Sequence, residues 1–198
     1  FIVTSSPQNK GKIEIGLHAG LNSSNASTAY DSADPSIGFN FGASADYYFS
    51  DSWSLKAKLI YDRKGWDNDL IQVTDQFDPV VRYARTDINL NYLTVPVMAG
   101  WHFGNKKNWY LNFGPYIGFL MNAKETRFDT DIKEGFNKVD GGIAFGIGVK
   151  IPVSDKLKFF IEYEGQGGMA EVFKYNDYDD TIVNARSSFN VGINFLLY

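Results

Sequence analysis

Residues 92–121 read YLTVPVMAGWHFGNKKNWYLNFGPYIGFLM, and this stretch decides the fold. Two long apolar and aromatic arms flank Gly104, Asn105, Lys106, Lys107 and Asn108, a polar connector with the composition of a hairpin turn. On the outgoing arm Trp109, Leu111, Phe113, Pro115, Ile117, Phe119 and Met121 share one parity, against Tyr110, Asn112, Gly114, Tyr116 and Gly118 on the other. The incoming arm sets Leu93, Val95, Val97, Ala99, Trp101 and Phe103 against Thr94, Gly100 and His102. Both arms exceed the roughly 5–6 residues of a globular strand and suit the roughly 9–11 residues a tilted strand needs to cross a bilayer. The stretch is predicted to be a transmembrane β-hairpin.

The same alternation recurs on either side. Ile13, Ile15, Leu17, Ala19 and Leu21 alternate with Glu14, Gly16, His18, Gly20 and Asn22, and Ile37 to Phe49 repeats the pattern with Asp46 on the polar face. Trp53, Leu55, Ala57, Leu59 and Tyr61 oppose Ser54, Lys56, Lys58, Ile60 and Asp62. Further along, Ile143 to Ile151 opposes a glycine-rich face ending in Lys150, Leu157 to Tyr163 opposes Lys158, Phe160, Glu162 and Glu164, and Phe189 to Leu197 closes the chain. The polar segments 23–36, 66–86, 124–139 and 171–186 read as long loops, and three short turns join the other strand ends. The expected fold is all-β, an eight-stranded antiparallel up-and-down transmembrane β-barrel, with long external loops and both chain ends on the short-turn side. Two irregularities are expected. Ile88, Leu90 and Tyr92 lie on the opposite parity to Leu93, Val95 and Val97, which a β-bulge near Tyr92 would repair, and Pro96 nearly faces Pro115, where a curvature-setting bulge is expected.

Composition agrees. Aromatic residues make up 16% of the chain and glycine reaches 19, with no helical periodicity, and no apolar run approaches the ~18 residues of a membrane helix. A spanning chain must then be a closed barrel. The absence of cysteine removes disulfides and thiolate chemistry, and a net charge of −4 argues against nucleic acid. Residues 1–11 read as a leader and 12–198 as one barrel domain; no basic start with an apolar core precedes them, so any secretion signal is expected to have been removed.

The polarity of the barrel has two solutions. A soluble lipocalin-type barrel would place the apolar face inside, but eight strands enclose an interior only just wide enough for side chains, too narrow for these rows of Phe, Trp, Tyr and Ile. A glycine-rich polar face suits a crowded lumen. Tyr47, Phe49, Trp53, Trp101, Phe103, Trp109 and Phe159 all lie near the short turns on the apolar parity, the pattern of an aromatic girdle. Membrane lipid is the expected partner of this face.

The sequence resembles the PorT-like family of small eight-stranded outer-membrane barrels. The resemblance rests on Ile15-Gly16-Leu17-His18-Ala19-Gly20-Leu21-Asn22, Tyr92-Leu93-Thr94-Val95-Pro96-Val97, Tyr110-Leu111-Asn112-Phe113-Gly114-Pro115-Tyr116-Ile117-Gly118, and Gly146-Ile147-Gly148-Val149 ahead of Ser154-Asp155-Lys156-Leu157. It covers the barrel wall and spares the loops, so it implies fold and location in the bacterial outer membrane; the family's association with protein secretion is not carried over. One departure is that Tyr198 falls out of phase with Phe195 and Leu197, where such barrels end on an outward aromatic.

Candidate chemistry is confined to the inward face. Glu14, His18, Asp46, Lys56, Lys58, Lys150, Glu162 and Glu164 are expected to form a lumen polar network, joined by Asp62 and Lys158, because near-balanced buried charges lower their desolvation cost by pairing. His18 and Glu14 share a face and could act as a base and its orienter, which makes a lumen enzyme one alternative; a narrow ion or solute channel is another. His102 reads as interfacial. The acidic residues Asp129, Asp131, Asp177, Asp179 and Asp180 follow no calcium-loop pattern, so neither metal nor cofactor is expected. The leading expectation is a barrel without catalysis whose four long loops contact a protein or extracellular ligand.

Overall fold

A computed structural model describes residues 10–27, 33–75, 78–176 and 180–197, with side chains throughout except at 71–82. Eight antiparallel strands close into a barrel: β1 (Ile13–Ser27), β2 (Asp34–Tyr48), β3 (Trp53–Asp75), β4 (Asp78–Phe103), β5 (Trp109–Glu125), β6 (Val139–Pro152), β7 (Leu157–Gly168) and β8 (Val183–Leu197). Each strand pairs with its sequence neighbours, and β8 returns to β1 from Ile13↔Leu197 to Ser27↔Val183. Closure satisfies the backbone hydrogen bonds of the wall, the condition for crossing a bilayer with strands. The leader and Tyr198 fall largely or wholly outside the described residues, as do Asp177 and Asp179.

The side-chain period of two sorts the residues as the alternation requires. Along β1 Glu14, Gly16, His18 and Asn22 point into the lumen while Ile13, Ile15, Leu17 and Leu21 are exposed on the wall. The exposed set includes Phe41, Leu55, Leu59, Phe113, Phe145 and Ile193 on five other strands, whereas Glu14, Lys56, Lys58 and Glu162 are buried. Greasy residues outside and ions inside is the inverse of a soluble domain, and identifies the wall as lipid-facing.

Three sequence expectations change. Residues 66–86 are not a loop: β3 and β4 run on as a hairpin, paired from Asp69↔Thr86 to Asp75↔Asp78. The segment carries no apolar alternation because it has left the bilayer. Glycine is required at its root, where Gly65 has φ 150° and an added Cβ would lie 1.9 Å from the Ile88 carbonyl oxygen. The other expected loops shrink similarly, since β1 extends to Ser27, β2 starts at Asp34 and β8 starts at Val183.

The second change concerns the bulge. Inward parity runs unbroken from Thr86 through Ile88, Leu90 and Tyr92 to His102, all buried, so β4 needs no correction near Tyr92. Ile88 and Leu90 are apolar because they pack inside the upper lumen. The irregularity lies on β5, where Asn91 pairs with Asn122 but Tyr92 with Leu120, leaving Met121 as the extra residue. Third, the prolines create no bulge: the β4–β5 register is unshifted from Pro96↔Tyr116 to Ala99↔Phe113, with Pro96 inward and Pro115 on the wall.

Candidate functional site

Among the described residues, the ion pairs of the lumen join six acids, Glu14, Asp46, Asp62, Asp140, Glu162 and Glu164, to six bases, Lys56, Lys58, Lys64, Lys150, Lys158 and Arg186. Each side chain is at an inward strand position, and the partners come from opposite walls. At the short-turn end Lys150 Nζ donates to Glu14, to Asp46 at 3.0 Å and to the Tyr48 hydroxyl at 2.7 Å, while Lys158 also binds Glu14. Lys56 continues the chain to Asp46 at 3.4 Å and Glu162 at 3.9 Å. Lys58 joins Glu162 to Glu164, which takes a second cation, Arg186, at 2.7 Å; Arg186 Nε reaches Asp62 at 3.0 Å. Above these, Lys64 binds Asp140 at 3.0 Å, beneath the rings of Tyr92 and Tyr116.

Burying an unpaired ion costs several kcal/mol, so the balance of six against six is what makes this interior tolerable. Charge pairing also fills the bore with side chains. Aromatic rings help: Lys56 Nζ lies 4.6 Å from the Tyr110 centroid, and Lys150 Nζ 5.2 Å from that of Tyr48.

The two histidines occupy different surroundings from those expected. His18 and Glu14 share a face, but four residues of strand is about 13 Å, beyond hydrogen-bonding reach. Glu14 is instead engaged by Lys150, Lys158 and Tyr48, and neither ring nitrogen of His18 has a hydrogen-bond partner. The base-and-orienter pair is therefore not assembled. His102 is 1% exposed, inside the lumen and not at the interface, with Nε2 2.9 Å from the Ser54 hydroxyl.

An apolar cap closes the upper lumen. Trp66, Ile88, Leu90, Leu120, Phe136 and Val172 form one buried cluster, with Trp66 and Phe136 ring centroids 6.1 Å apart. Phe136 comes from the β5–β6 loop, which contains the 3-10 turn Lys133–Gly135, and Val172 from the β7–β8 loop. A bridge between Phe136 and Phe173 ties the two loops together, and the Asn137 side-chain amide donates to the carbonyls of Glu171 and Phe173. Strand parity could have revealed Lys64, Asp140 and Arg186, which continue the inward rows beyond the expected strand ends. The cap residues carry no such signal, because their loops have no period.

One carboxylate, at the end of β5, acts as a brace for the loop that follows. Glu125 accepts from the Thr86 hydroxyl at 2.7 Å and from the amides of Arg127, Phe128 and Thr130 at 2.9, 2.9 and 3.1 Å. Desolvation raises its pKa, but these hydrogen bonds outweigh it and bring the carboxyl down to about 2 from 4.5. A depressed carboxylate stabilises above its unfolded pKa and is lost as pH falls through the folded one, so the brace holds above about 4.5 and releases towards 2. The amide resonances of Phe128 and Thr130 are expected to titrate together near pH 2; a midpoint near 4.5 would show the carboxyl to be free.

Around the short turns the structure places Tyr47, Phe49, Trp53, Trp101 and Trp109 exposed on the wall, with Phe103 and Phe159 half-buried among them. Trp53 pairs with Trp101, and Phe103 with Trp109. Trp66, the fourth tryptophan, is 3% exposed in the cap.

A closed eight-stranded barrel with a lipid-facing wall and an ion-filled bore defines a class, the small outer-membrane barrels. The chain belongs to the outer membrane protein beta-barrel domain family, whose model matches residues 5–174, and its place is the bacterial outer membrane. Among solved structures it is similar to the outer membrane protein OprG from Pseudomonas aeruginosa, at 12% identity and TM-score 0.57 over 96% of this chain and 97% of that one. It is likewise similar to Neisserial surface protein A, at 18% identity and TM-score 0.52 over 91% and 96%. At such identities the likeness shows the fold alone. No curated protein matches the sequence.

Proposed function

We propose that this protein is a non-catalytic scaffold that displays its extracellular segments for binding a protein or another extracellular ligand, with the bore serving as structural filling. The observation that carries this reading is the β3–β4 hairpin. β2 stops at Asp34, opposite Asp67, and β5 stops opposite Ile88, so the hairpin continues without lateral strands for roughly 25 Å at about 3.3 Å per residue. Its root is braced by the β5–β6 loop, where the Thr126 amide donates to the Asp87 carbonyl and Arg127 to that of Arg85. A paired ladder projecting from a closed barrel presents a surface at lower entropic cost than an unpaired loop of the same length.

A conduit is disfavoured by the paired ions and the apolar cap, and a lumen enzyme by the separation of His18 from Glu14. The wall motifs support placing the chain with the PorT-like barrels, as a single domain over 12–198. The exposed aromatics at the short turns are the girdle of this reading, seated at the periplasmic headgroups. The test replaces residues 69–86 by Asn-Gly in cells that make the protein. The barrel is expected to fold, seen as unchanged heat-modifiable gel mobility, while adhesion to immobilised glycans and extracellular proteins falls by an order of magnitude or roughly 1.4 kcal/mol. Unchanged adhesion, partners and envelope phenotype would remove the basis of the proposal.

A further inference from the structure

On the wall formed by β2 to β5, the outward face changes character abruptly. Tyr61, Leu93 and Phe119 lie side by side in register, an apolar row continuous with Phe41 and Phe39 on β2. One step higher, the outward residues are Arg63, Asn91 and Asn122, and one step above those come Asn89 and Lys124. This line marks the upper edge of the hydrocarbon band, at the depth of the outer-leaflet headgroups. Towards the short-turn end, the outward strand positions of β3 to β5 carry Trp53, Trp101 and Trp109, and the cations Lys106 and Lys107 lie only in the turn itself.

A groove of about 260 Å³ lies along this line, on the outside of the barrel. Its floor is aromatic, with the Phe39 and Tyr61 rings stacked at 6.2 Å, and its walls include Arg63, Asn89, Asn91 and Lys124. Arg63 is held in place by a neutral acceptor: Nε and Nη2 both donate to Asn89 Oδ1, at 3.2 and 2.9 Å. That uses one edge of the guanidinium and leaves the end-on edge, Nη1 with the second Nη2 proton, unspent. Among the described residues Arg63 has no carboxylate partner. Lys124 does have one, Asp129 at 2.8 Å, but that pair is solvent-exposed and weak. The carboxylate of Glu125, also at the groove, is taken up by Thr86 and the loop amides.

A pre-oriented guanidinium fork matches two phosphate oxygens, a neighbouring ammonium adds a point charge, and amides beside an aromatic floor suit sugar hydroxyls and ring faces. We propose that this exterior groove binds the phosphorylated sugar headgroup of an anionic outer-leaflet glycolipid, with Arg63 gripping the phosphate end-on, Lys124 exchanging Asp129 for it, and Phe39 and Tyr61 supporting the sugar and first acyl carbons. The aromatic floor of the groove is continuous with the lipid-facing row Phe41, Tyr61 and Leu93, which is why the source is the lipid headgroup and not phosphate from solution. The bound lipid would also brace the foot of the projecting hairpin.

The test is native mass spectrometry of the whole chain released from phosphatidylcholine nanodiscs containing diphosphorylated lipid A. The expected result is a one-to-one adduct that falls about tenfold in Arg63→Gln and in Lys124→Gln, the size of one lost charge-assisted contact. It should persist in Lys107→Gln, a charge control in the short turn. The unsubstituted chain with dephosphorylated lipid A tests the same contact without any mutation, and should lose the adduct equally. Inorganic phosphate at millimolar concentration should not displace it. Equal retention of dephosphorylated lipid A, or an adduct indifferent to both Arg63 and Lys124, would overturn the proposal. Displacement by free phosphate would overturn the lipid assignment.

Discussion

Replacing Glu164 with leucine is expected to destabilise the barrel by about 3–5 kcal/mol, the cost of breaking a buried ion cluster from one side. Glu164 is fully buried and holds Lys58 at 2.5 Å, Arg186 at 2.7 Å and the Gln166 amide at 3.2 Å. Without it Lys58 retains Glu162, and Arg186 retains Asp62, but the paired ions of the bore are left at six bases against five acids. Urea unfolding in lipid vesicles, followed by gel mobility, would show the loss. Asp129→Asn provides the contrast. It removes an ion pair of similar length, Lys124–Asp129, but one whose side chains are 42% and 80% exposed, so the change should stay below about 1 kcal/mol. Equal effects of the two substitutions would mean that the lumen is wet and the pairs are screened.

The second large effect is expected outside the barrel. Leu59 is 51% exposed midway between the tryptophans of the short-turn end and the polar line at Arg63. In water an exposed leucine tolerates arginine at a cost within about 0.5 kcal/mol, whereas near the bilayer midplane of a barrel the same change costs about 2–4 kcal/mol. Leu59→Arg is therefore expected to lower stability in vesicles by the larger amount, and Leu70→Arg, at a 61% exposed position in the projecting hairpin, by the smaller. The ratio of the two, measured in the same unfolding assay, reports where the lipid ends.

The alternation of apolar and polar residues was enough to read the strands because a membrane barrel imposes one rule on its whole wall. Lys56 and Lys58 between Leu55, Ala57 and Leu59 can be satisfied together only if one face meets lipid and the other an enclosed polar bore. The rule fails where the bilayer ends. Above the polar line at Arg63 the wall no longer needs a lipid-facing stripe, so β3 and β4 pair on from Asp69↔Thr86 without the apolar alternation that marks a strand in sequence. Ile88 and Leu90 invert the rule by packing inward, and equating apolar with outward misplaced a bulge that belongs at Met121. The ion network was legible as composition and parity but not as partners. Glu14 meets Lys150 and Lys158 across the bore, over sequence separations that no spacing rule spans, while the near neighbour His18 lies beyond its reach. Asp140, Lys64 and Arg186 were missed because the strands were ended too early.

The most direct test of the central claim, that the apolar face meets lipid and the polar face the bore, uses single-tryptophan variants in vesicles of lipids brominated at defined depths. Trp53, Trp101 and Trp109 are 38–49% exposed on the wall near the short turns, and Trp66 is 3% exposed under the cap. The first three are expected to be quenched most strongly by bromines close to the headgroups, and Trp66 to be left nearly untouched by bromines at any depth. Quenching of Trp66 with sparing of the other three would turn the barrel inside out and contradict the account.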